Sequence, residues 1–345
     1  MKVIIDDKIP YIQGPLKELV DEVIAIPGKE ISATDVKSAD ALFVRTRTHC
    51  NEALLKGSSV RFIATATIGY DHIDEAYCKA NNITWANAPG SNSSSVAQYI
   101  ESVFILLEKK GVHLKNKTIG VVGGGNVGKK IISLSEKFGL RVLLNDLPRA
   151  EVEEGTFYSL SELAEASDII TFHVPLYKEG RFKTFHLGDQ HFFHQLRRKP
   201  IIINTSRGEV LETEAVLRAI DENLVGETIL DVWENEPHIN LDLLNKTFIG
   251  TPHIAGYSAD GKANASQMAL NAFCEFFGLP SKHRIVPPSP INSHLIGATE
   301  ADCLLEIYNP MRDNDWLKAT PSRFEFFRGN YPLRREKQAY TIELL

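Results

Sequence analysis

The chain has 345 residues, 43% of them hydrophobic and 24% charged, with a formal net charge of −6 and a pI near 6.0. That length supports two or three compact units with their own cores, and the acidic balance excludes a general nucleic-acid or membrane-surface binder. No apolar run approaches the roughly 20 residues a membrane helix needs, and the opening MKVIIDDKIP, with two Asp inside its would-be apolar stretch, reads as a first strand rather than a secretory signal.

Short apolar runs at 3–5, 41–44 and 62–64 read as buried strands, with helical patterns between them at 15–22 and 51–56. Strands that alternate with helices predict βαβ units and a parallel sheet. A longer helix, the expected bridge between two domains, follows Asn92. Ser93, Ser94 and Ser95 offer capping hydroxyls, and Val96, Ile100, Val103, Phe104 and Leu107 recur at helical spacing. Lys109, Lys110 and Gly111 give it a basic last turn and a glycine stop. A second α/β series follows: strand 118–122, helix 127–138, strand 141–145, then buried strands at 169–172, 201–204, 228–230 and 248–250. Near Ile285 the run VPPSPINS reads as a linker, and the remaining residues fit an appended subdomain or an oligomerisation element. Cys50, Cys78, Cys274 and Cys303 are far apart and form no C-x-x-C pair. They read as reduced thiols of a cytosolic protein, with no metal site and no disulfide framework.

The strand TIGVV runs directly into Gly123-Gly124-Gly125-Asn126-Val127-Gly128, which fits G-x-G-x-x-G. Gly123 would allow the tight turn, Gly125 the close approach of backbone to a pyrophosphate, and Gly128 the packing of helix on strand. The helix N-terminus then offers free N–H groups and the positive end of its dipole to the anion. The next strand ends in Asp146, placed to hold ribose hydroxyls and to repel a 2′-phosphate, which favours NAD over NADP. Arg149 reads as a solvated surface charge.

Three further segments end strands or open loops, where such sheets bind ligands: 201–208 with NTSRG, 230–237 with DVWENEP, and 250–256 with TPHIAG. In this order after the glycine motif, they make the chain similar to the D-2-hydroxyacid dehydrogenase family. The resemblance implies a catalytic set of Arg207, Glu236 and His253. Arg207 would grip the substrate carboxylate and hydroxyl oxygen, His253 would take the hydroxyl proton, and Glu236 would hold the His ring. Glu234 competes for that last role, and Glu236 is preferred because it directly precedes Pro237. The residue types suit the chemistry: His is the natural base near neutrality, and a guanidinium binds a carboxylate through two parallel hydrogen bonds. Carried over in the same way, cofactor contacts fall on Asn126, Val127, Asp146, Ser206, Asp231 and Gly256, and substrate contacts on Thr46, Thr67 and Tyr257. Thr46 stands where Ser is usual. Val174 stands where a cofactor-contacting Thr is usual, which leaves a backbone contact there.

Arg45 and Arg47, beside hydroxyls at a strand end, suit a phosphate or a second carboxylate. The tail segments YNPMRDND and FEFFRGNYPLRRE resemble the C-terminal dimerisation domain of one branch of the family, which implies a cytoplasmic homodimer acting on a small phosphorylated 2-hydroxy acid. Arg334 and Arg335 would serve the dimer interface, reach a partner's phosphate pocket, or lie solvated. The expected architecture is α/β, with two doubly wound Rossmann-like domains: a flavodoxin-like substrate domain (1–92 and 255–281) and an NAD-binding domain (93–254). A small α+β dimerisation domain (282–345) follows. Two other readings stay open: a dehydrogenase of the phosphoglycerate or hydroxypyruvate type, and a non-catalytic NAD-sensing regulator.

Overall fold

A computed structural model describes residues 1–280 and 282–345. The chain divides into two compact units, residues 1–92 with 258–291 and residues 93–257 with 292–345.

The first unit is built on five parallel strands, β1 (Lys2–Asp6), β2 (Glu22–Ile26), β3 (Ala41–Val44), β4 (Phe62–Thr65) and β5 (Thr84–Ala86), in the order β2-β1-β3-β4-β5. That is the flavodoxin-like order. Every residue of β3 and β4 is buried, so both strands read as unbroken apolar runs. Two apolar clusters cover the two faces. One contains Val3, Phe43, Phe62 and, from the helix Ala259–Phe277, Leu270 and Phe273; the other contains Ile4, Leu42, Ile63 and Cys78. The helix expected at 15–22 spans Gln13–Leu19 instead, because Glu22 already pairs with Lys2 in the sheet.

The second unit holds six parallel strands: β6 (Thr118–Val122), β7 (Arg141–Asn145), β8 (Ile169–Phe172), β9 (Ile201–Asn204), β10 (Thr228–Leu230) and β11 (Ile249–Gly250). Their order is β11-β10-β9-β8-β6-β7, so the winding reverses between β6 and β8. A crevice outside the carboxyl ends of the strands at that reversal is where ligands bind in this architecture. The helix Ser93–Lys109 buries Tyr99, Ile100, Val103, Phe104 and Leu107 against one face, and Gly111, at φ +93°, lets the chain turn away from its end. From 292 onward the chain adds a parallel strand pair, β12 (His294–Gly297) with β13 (Thr341–Leu344), and three helices, Glu300–Ile307, Pro310–Ala319 and Phe324–Gly329. Tyr308, Leu317 and Phe324 from this segment enter the cores on either side of the six-stranded sheet.

The four cysteines are free and buried. Among the described residues no cluster of His, Cys, Asp or Glu is arranged to hold a metal, and no helix is long and apolar enough to cross a membrane.

Candidate active site

The glycine loop lies at the end of β6, next to the reversal. Gly123 has φ +93°, and a Cβ there would meet the His173 carbonyl oxygen at 2.7 Å. A Cβ on Gly128 would fall 1.9 Å from the Gly123 oxygen, so helix and strand approach as only glycine permits. Gly125, by contrast, faces open space and caps the helix Asn126–Lys137. Backbone N–H groups at a bare helix start, with room in front of them, fit a pyrophosphate. Asp146, just beyond β7, accepts from Gly124 N at 2.7 Å and from Arg149 N at 3.2 Å, so its carboxylate is fixed beside the loop. Arg149 departs from the sequence reading: its side chain is only 26% exposed, and Nη1 donates to the Gly124 carbonyl at 2.9 Å.

Three loops at the ends of β9, β10 and β11 carry the remaining predicted residues. Buried Asn204 shapes the first, since its Oδ1 accepts from Ser206 N and Oγ and its Nδ2 donates to the Arg207 carbonyl. Gly208 sits so close to the second loop that a Cβ would lie 1.9 Å from the Trp233 carbonyl carbon. The Arg207 loop is therefore pressed onto the loop that bears Glu236. Buried Asp231 ties the third loop down: it accepts from Thr251 Oγ1 at 2.7 Å, Ile254 N at 2.8 Å and Ala255 N at 2.9 Å, while its own carbonyl receives His253 N. Burial pushes the Asp231 carboxyl up, against the opposing pull of His253 and these donors.

Glu236 and His253 meet in the space so defined. Glu236 Oε2 lies 2.8 Å from His253 Nδ1, and Oε1 accepts from Trp233 N at 3.0 Å. Burial alone would raise the Glu236 carboxyl; the hydrogen bond and charge of His253, the Trp233 N–H and the charge of Arg328 outweigh it and hold it below its ordinary value. With Nδ1 engaged, Nε2 is the ring atom left for chemistry, in a side chain 30% exposed. His253 has φ +55°, a costly backbone conformation for a non-glycine residue. Glu234 is committed elsewhere, to His186 Nε2 at 2.8 Å and Thr213 N at 2.7 Å.

In the first unit, Arg45, Thr46 and Arg47 follow β3 and Thr67 follows the neighbouring β4, whose Thr65 pairs with Val44. Thr46 and Arg47 are exposed. Thr67 Oγ1 donates to the Gly69 carbonyl at 2.8 Å and lies 2.6 Å from Thr65 Oγ1, which in turn meets His72 Nε2 at 2.9 Å. Two residues near these sites, Lys262 and His173, escaped sequence reasoning, and a third, Arg334, has contacts that the sequence did not suggest. Lys262, in the first turn of the Ala259–Phe277 helix, has its ammonium held below its ordinary value by burial and by the charge of Arg45. His173, pushed down to about 3 by burial, joins Thr171 Oγ1 at 2.8 Å to Thr205 Oγ1 at 3.3 Å. Arg334 is neither solvated nor at the surface. It is 5% exposed and stacks 3.6 Å over the Tyr308 ring; it donates to Gln98 Oε1, to the Ser95 carbonyl, and to the carbonyls of Ile254 and Ala255 beside His253.

This fold and this site define an NAD-dependent dehydrogenase of 2-hydroxy acids, and the family model for the NAD-binding domain of D-isomer specific 2-hydroxyacid dehydrogenases matches residues 101–255. Among solved structures, the NAD+-bound 3-phosphoglycerate dehydrogenase of Entamoeba histolytica aligns with a TM-score of 0.68 at 27% identity, covering 83% of this chain and 98% of that one. Erythronate-4-phosphate dehydrogenase of Bacteroides fragilis is 58% identical over 344 residues, and that of Bacteroides thetaiotaomicron 56% over 348, each covering 99% of both chains. Within the D-2-hydroxyacid dehydrogenases, the chain belongs to the erythronate-4-phosphate dehydrogenase family.

Proposed function

We propose that this protein oxidises 4-phospho-D-erythronate at C2 to (R)-3-hydroxy-2-oxo-4-phosphobutanoate, a step in making pyridoxal 5′-phosphate, with Arg207, Glu236 and His253 as its catalytic residues. The observation that carries the chemistry is the Glu236–His253 pair at 2.8 Å, on a loop system that also presents Arg207. The name shared by the relatives supports the substrate.

NAD, when bound, supplies the hydride acceptor. Gly123, Gly125, Asn126, Val127 and Gly128 would hold its pyrophosphate, Asp146 its ribose, and Ser206, Asp231, Gly256 and the Val174 backbone would frame the rest. As C2 is oxidised, the hydroxyl proton passes to His253 Nε2. Glu236 holds the ring and stabilises the cation that forms there. Arg207 fixes the carboxylate, and so C2, by paired hydrogen bonds. Arg45, Thr46, Arg47, Thr67 and Tyr257 bind the remainder of the substrate. Lys262 and Arg45 repel one another, a repulsion that a bound phosphate would relieve.

We also assign the protein to the cytoplasm as a homodimer formed through the C-terminal segment, where Ile296, Trp316, Phe326, Leu333 and Leu344 are exposed. Light scattering on the purified chain reads the dimer directly.

The deciding experiment is NADH formation with 4-phospho-D-erythronate against 3-phospho-D-glycerate. Preference for the four-carbon acid, abolished in His253→Gln with NAD still bound, is the expected result. Preference for the three-carbon acid would overturn the substrate, and turnover of neither would overturn the enzyme.

A further inference from the structure

The loop that leaves β4 carries a chain of three short hydrogen bonds. His72 Nε2 lies 2.9 Å from Thr65 Oγ1, Thr65 Oγ1 lies 2.6 Å from Thr67 Oγ1, and Thr67 Oγ1 donates to the Gly69 carbonyl at 2.8 Å. Thr65 and His72 are buried, and Thr67 is half-buried. The backbone of the loop is pinned on both sides: Ala66 N donates to the Val44 carbonyl at 3.0 Å, and Ala88 N to the Thr67 carbonyl at 2.9 Å. Asn87 Nδ2 donates to the Ile68 carbonyl at 2.7 Å.

These bonds admit one direction of donation. A hydroxyl has one hydrogen to give and two lone pairs to offer. A carbonyl only accepts, so the Thr67 hydrogen is spent on Gly69. The bond between the two threonines is then donated by Thr65, whose own hydrogen is spent in turn. Thr65 therefore accepts from His72, which carries its proton on Nε2. Burial agrees, since it pushes His72 down to about 4 and keeps the ring neutral, with a single N–H. At the open end of the chain Thr67 has no hydrogen left and, among the described residues, one lone pair uncommitted. It can accept from a ligand and cannot donate to one.

We propose that Thr67 is a specificity-determining residue that accepts a hydrogen bond from the C3 hydroxyl of 4-phospho-D-erythronate, with its direction set by His72 through Thr65. This rests on the substrate proposed above. The ionised carboxylate and the phosphate dianion of that acid have no hydrogen to give, and they suit the guanidinium donors of Arg207, Arg45 and Arg47. The C2 hydroxyl gives its hydrogen to His253 in the proposed reaction. The C3 hydroxyl is the donor that remains, and 3-phospho-D-glycerate has no counterpart to it.

The test sets 4-phospho-D-erythronate against its 3-deoxy counterpart, (R)-2-hydroxy-4-(phosphooxy)butanoate. The readout is the ratio of their kcat/KM values in wild type, Thr67→Ser and Thr67→Val, with Thr67→Ala in place of the last should it not fold. Wild type and Thr67→Ser are expected to favour the hydroxylated acid by about tenfold or more, because the deoxy acid leaves the acceptor unpaired. In Thr67→Val the ratio is expected to fall to within about threefold, since no acceptor is left to discriminate. A ratio kept in Thr67→Val, with both acids slowed together, makes the role of Thr67 structural and overturns the inference, as does a wild type indifferent to C3. Nitrogen NMR of the His72 ring, assigned by its loss in His72→Gln, is expected to place the proton on Nε2. A proton on Nδ1 overturns the direction assigned to the chain. Oxidation of neither acid by wild type would instead count against the function proposed above; the ratio of the two acids' dissociation constants, measured by calorimetry in the presence of NAD, would still decide on Thr67.

Discussion

Glu236 and Glu234 stand two positions apart, and their roles separate cleanly on substitution by Gln. When the substrate proton reaches His253, an imidazolium forms 2.8 Å from the Glu236 carboxylate, in a pocket where that side chain is 18% exposed. Two unit charges about 4 Å apart in an environment of effective dielectric about 20 attract by roughly 4 kcal/mol. Gln retains a neutral hydrogen bond, so the loss is the charge-assisted share, on the order of 1.5–3 kcal/mol. That corresponds to a fall in kcat of about 10- to 150-fold. Glu234 instead accepts from the first N–H of the helix Thr213–Asp221 and from His186, both structural tasks. Its replacement by Gln costs about 1 kcal/mol of stability, as the loss of a helix cap does, and leaves kcat within about threefold. Steady-state kcat at saturating substrate, thermal melts and NADH binding by fluorescence measure all three quantities on each variant. A kcat lower in Glu234→Gln than in Glu236→Gln would refute the assignment.

Gly128→Ala places a Cβ 1.9 Å from the Gly123 oxygen; it should cost about 1–3 kcal/mol of stability and weaken NADH binding at least tenfold in a fluorescence titration, and unchanged affinity would sink the reading of this loop. The protein should lose stability in mild acid: burial pushes His72 down to about 4 and His173 down to about 3, below the ordinary value of 6.5, so their neutral native forms stabilise fully above that value and ever less as pH falls toward 4. Asp313, raised to about 6 by burial, works in the opposite sense between about 4 and 6, as do the raised carboxyls of Asp231 and Glu101, but the two strongly depressed histidines leave a net loss on the order of 1–2 kcal/mol between pH 7 and 5; equal urea midpoints at the two pH values would refute it. Burial pushes the Cys50 thiol up to about 12 and the Cys78 thiol to about 11, and Cys274 and Cys303 are buried too, so an aromatic disulfide reagent should label no thiol in the native protein within minutes and four after unfolding. Rapid labelling of the folded chain would contradict that burial.

What the sequence revealed and what it hid follow one division. Strands buried on both faces, such as Ala41–Val44 and Ile201–Asn204, have to be apolar throughout, so composition alone exposed them. Glu22–Ile26 is an edge strand with no fully buried residue, so the sequence signals no strand there and only Glu22 falls in an expected element, the preceding helix. The glycine loop was legible because Gly123 and Gly128 answer local steric demands, while Gly125 leaves open space before the helix start. Arg207, Glu236 and His253 stand out in the sequence as short segments at strand ends, although the meeting of Glu236 with His253 depends on contact between loops. Arg334 was not legible, because its partners come from Ser95, Gln98, Ile254 and Ala255, more than 75 positions away in each case. Lys262 beside Arg45 and His173 between two strand ends are hidden for the same reason: burial of a charged or titratable group is a property of the assembled unit.

The loop that carries His253, the proposed base, shows how that long-range part would serve the chemistry. His253 holds φ +55°, a conformation that on its own costs about 1–3 kcal/mol and relaxes unless the surroundings fix it. From one side Asp231 fixes it, collecting Thr251, Ile254 and Ala255 onto a single buried carboxylate. From the other side Arg334 clasps the carbonyls of the same Ile254 and Ala255, so both residues after His253 are held at their N–H and C=O groups, and the peptide between them at both ends. The Arg334 guanidinium is itself immobilised by Tyr308, Gln98 and Ser95, and Tyr308 donates to the buried Asp313. A carboxylate from the NAD-binding sheet and a guanidinium from the C-terminal segment thus clamp the base in a geometry neither would impose alone. That arrangement makes the C-terminal segment part of the scaffold around the proposed base of its own chain, independently of any role between subunits.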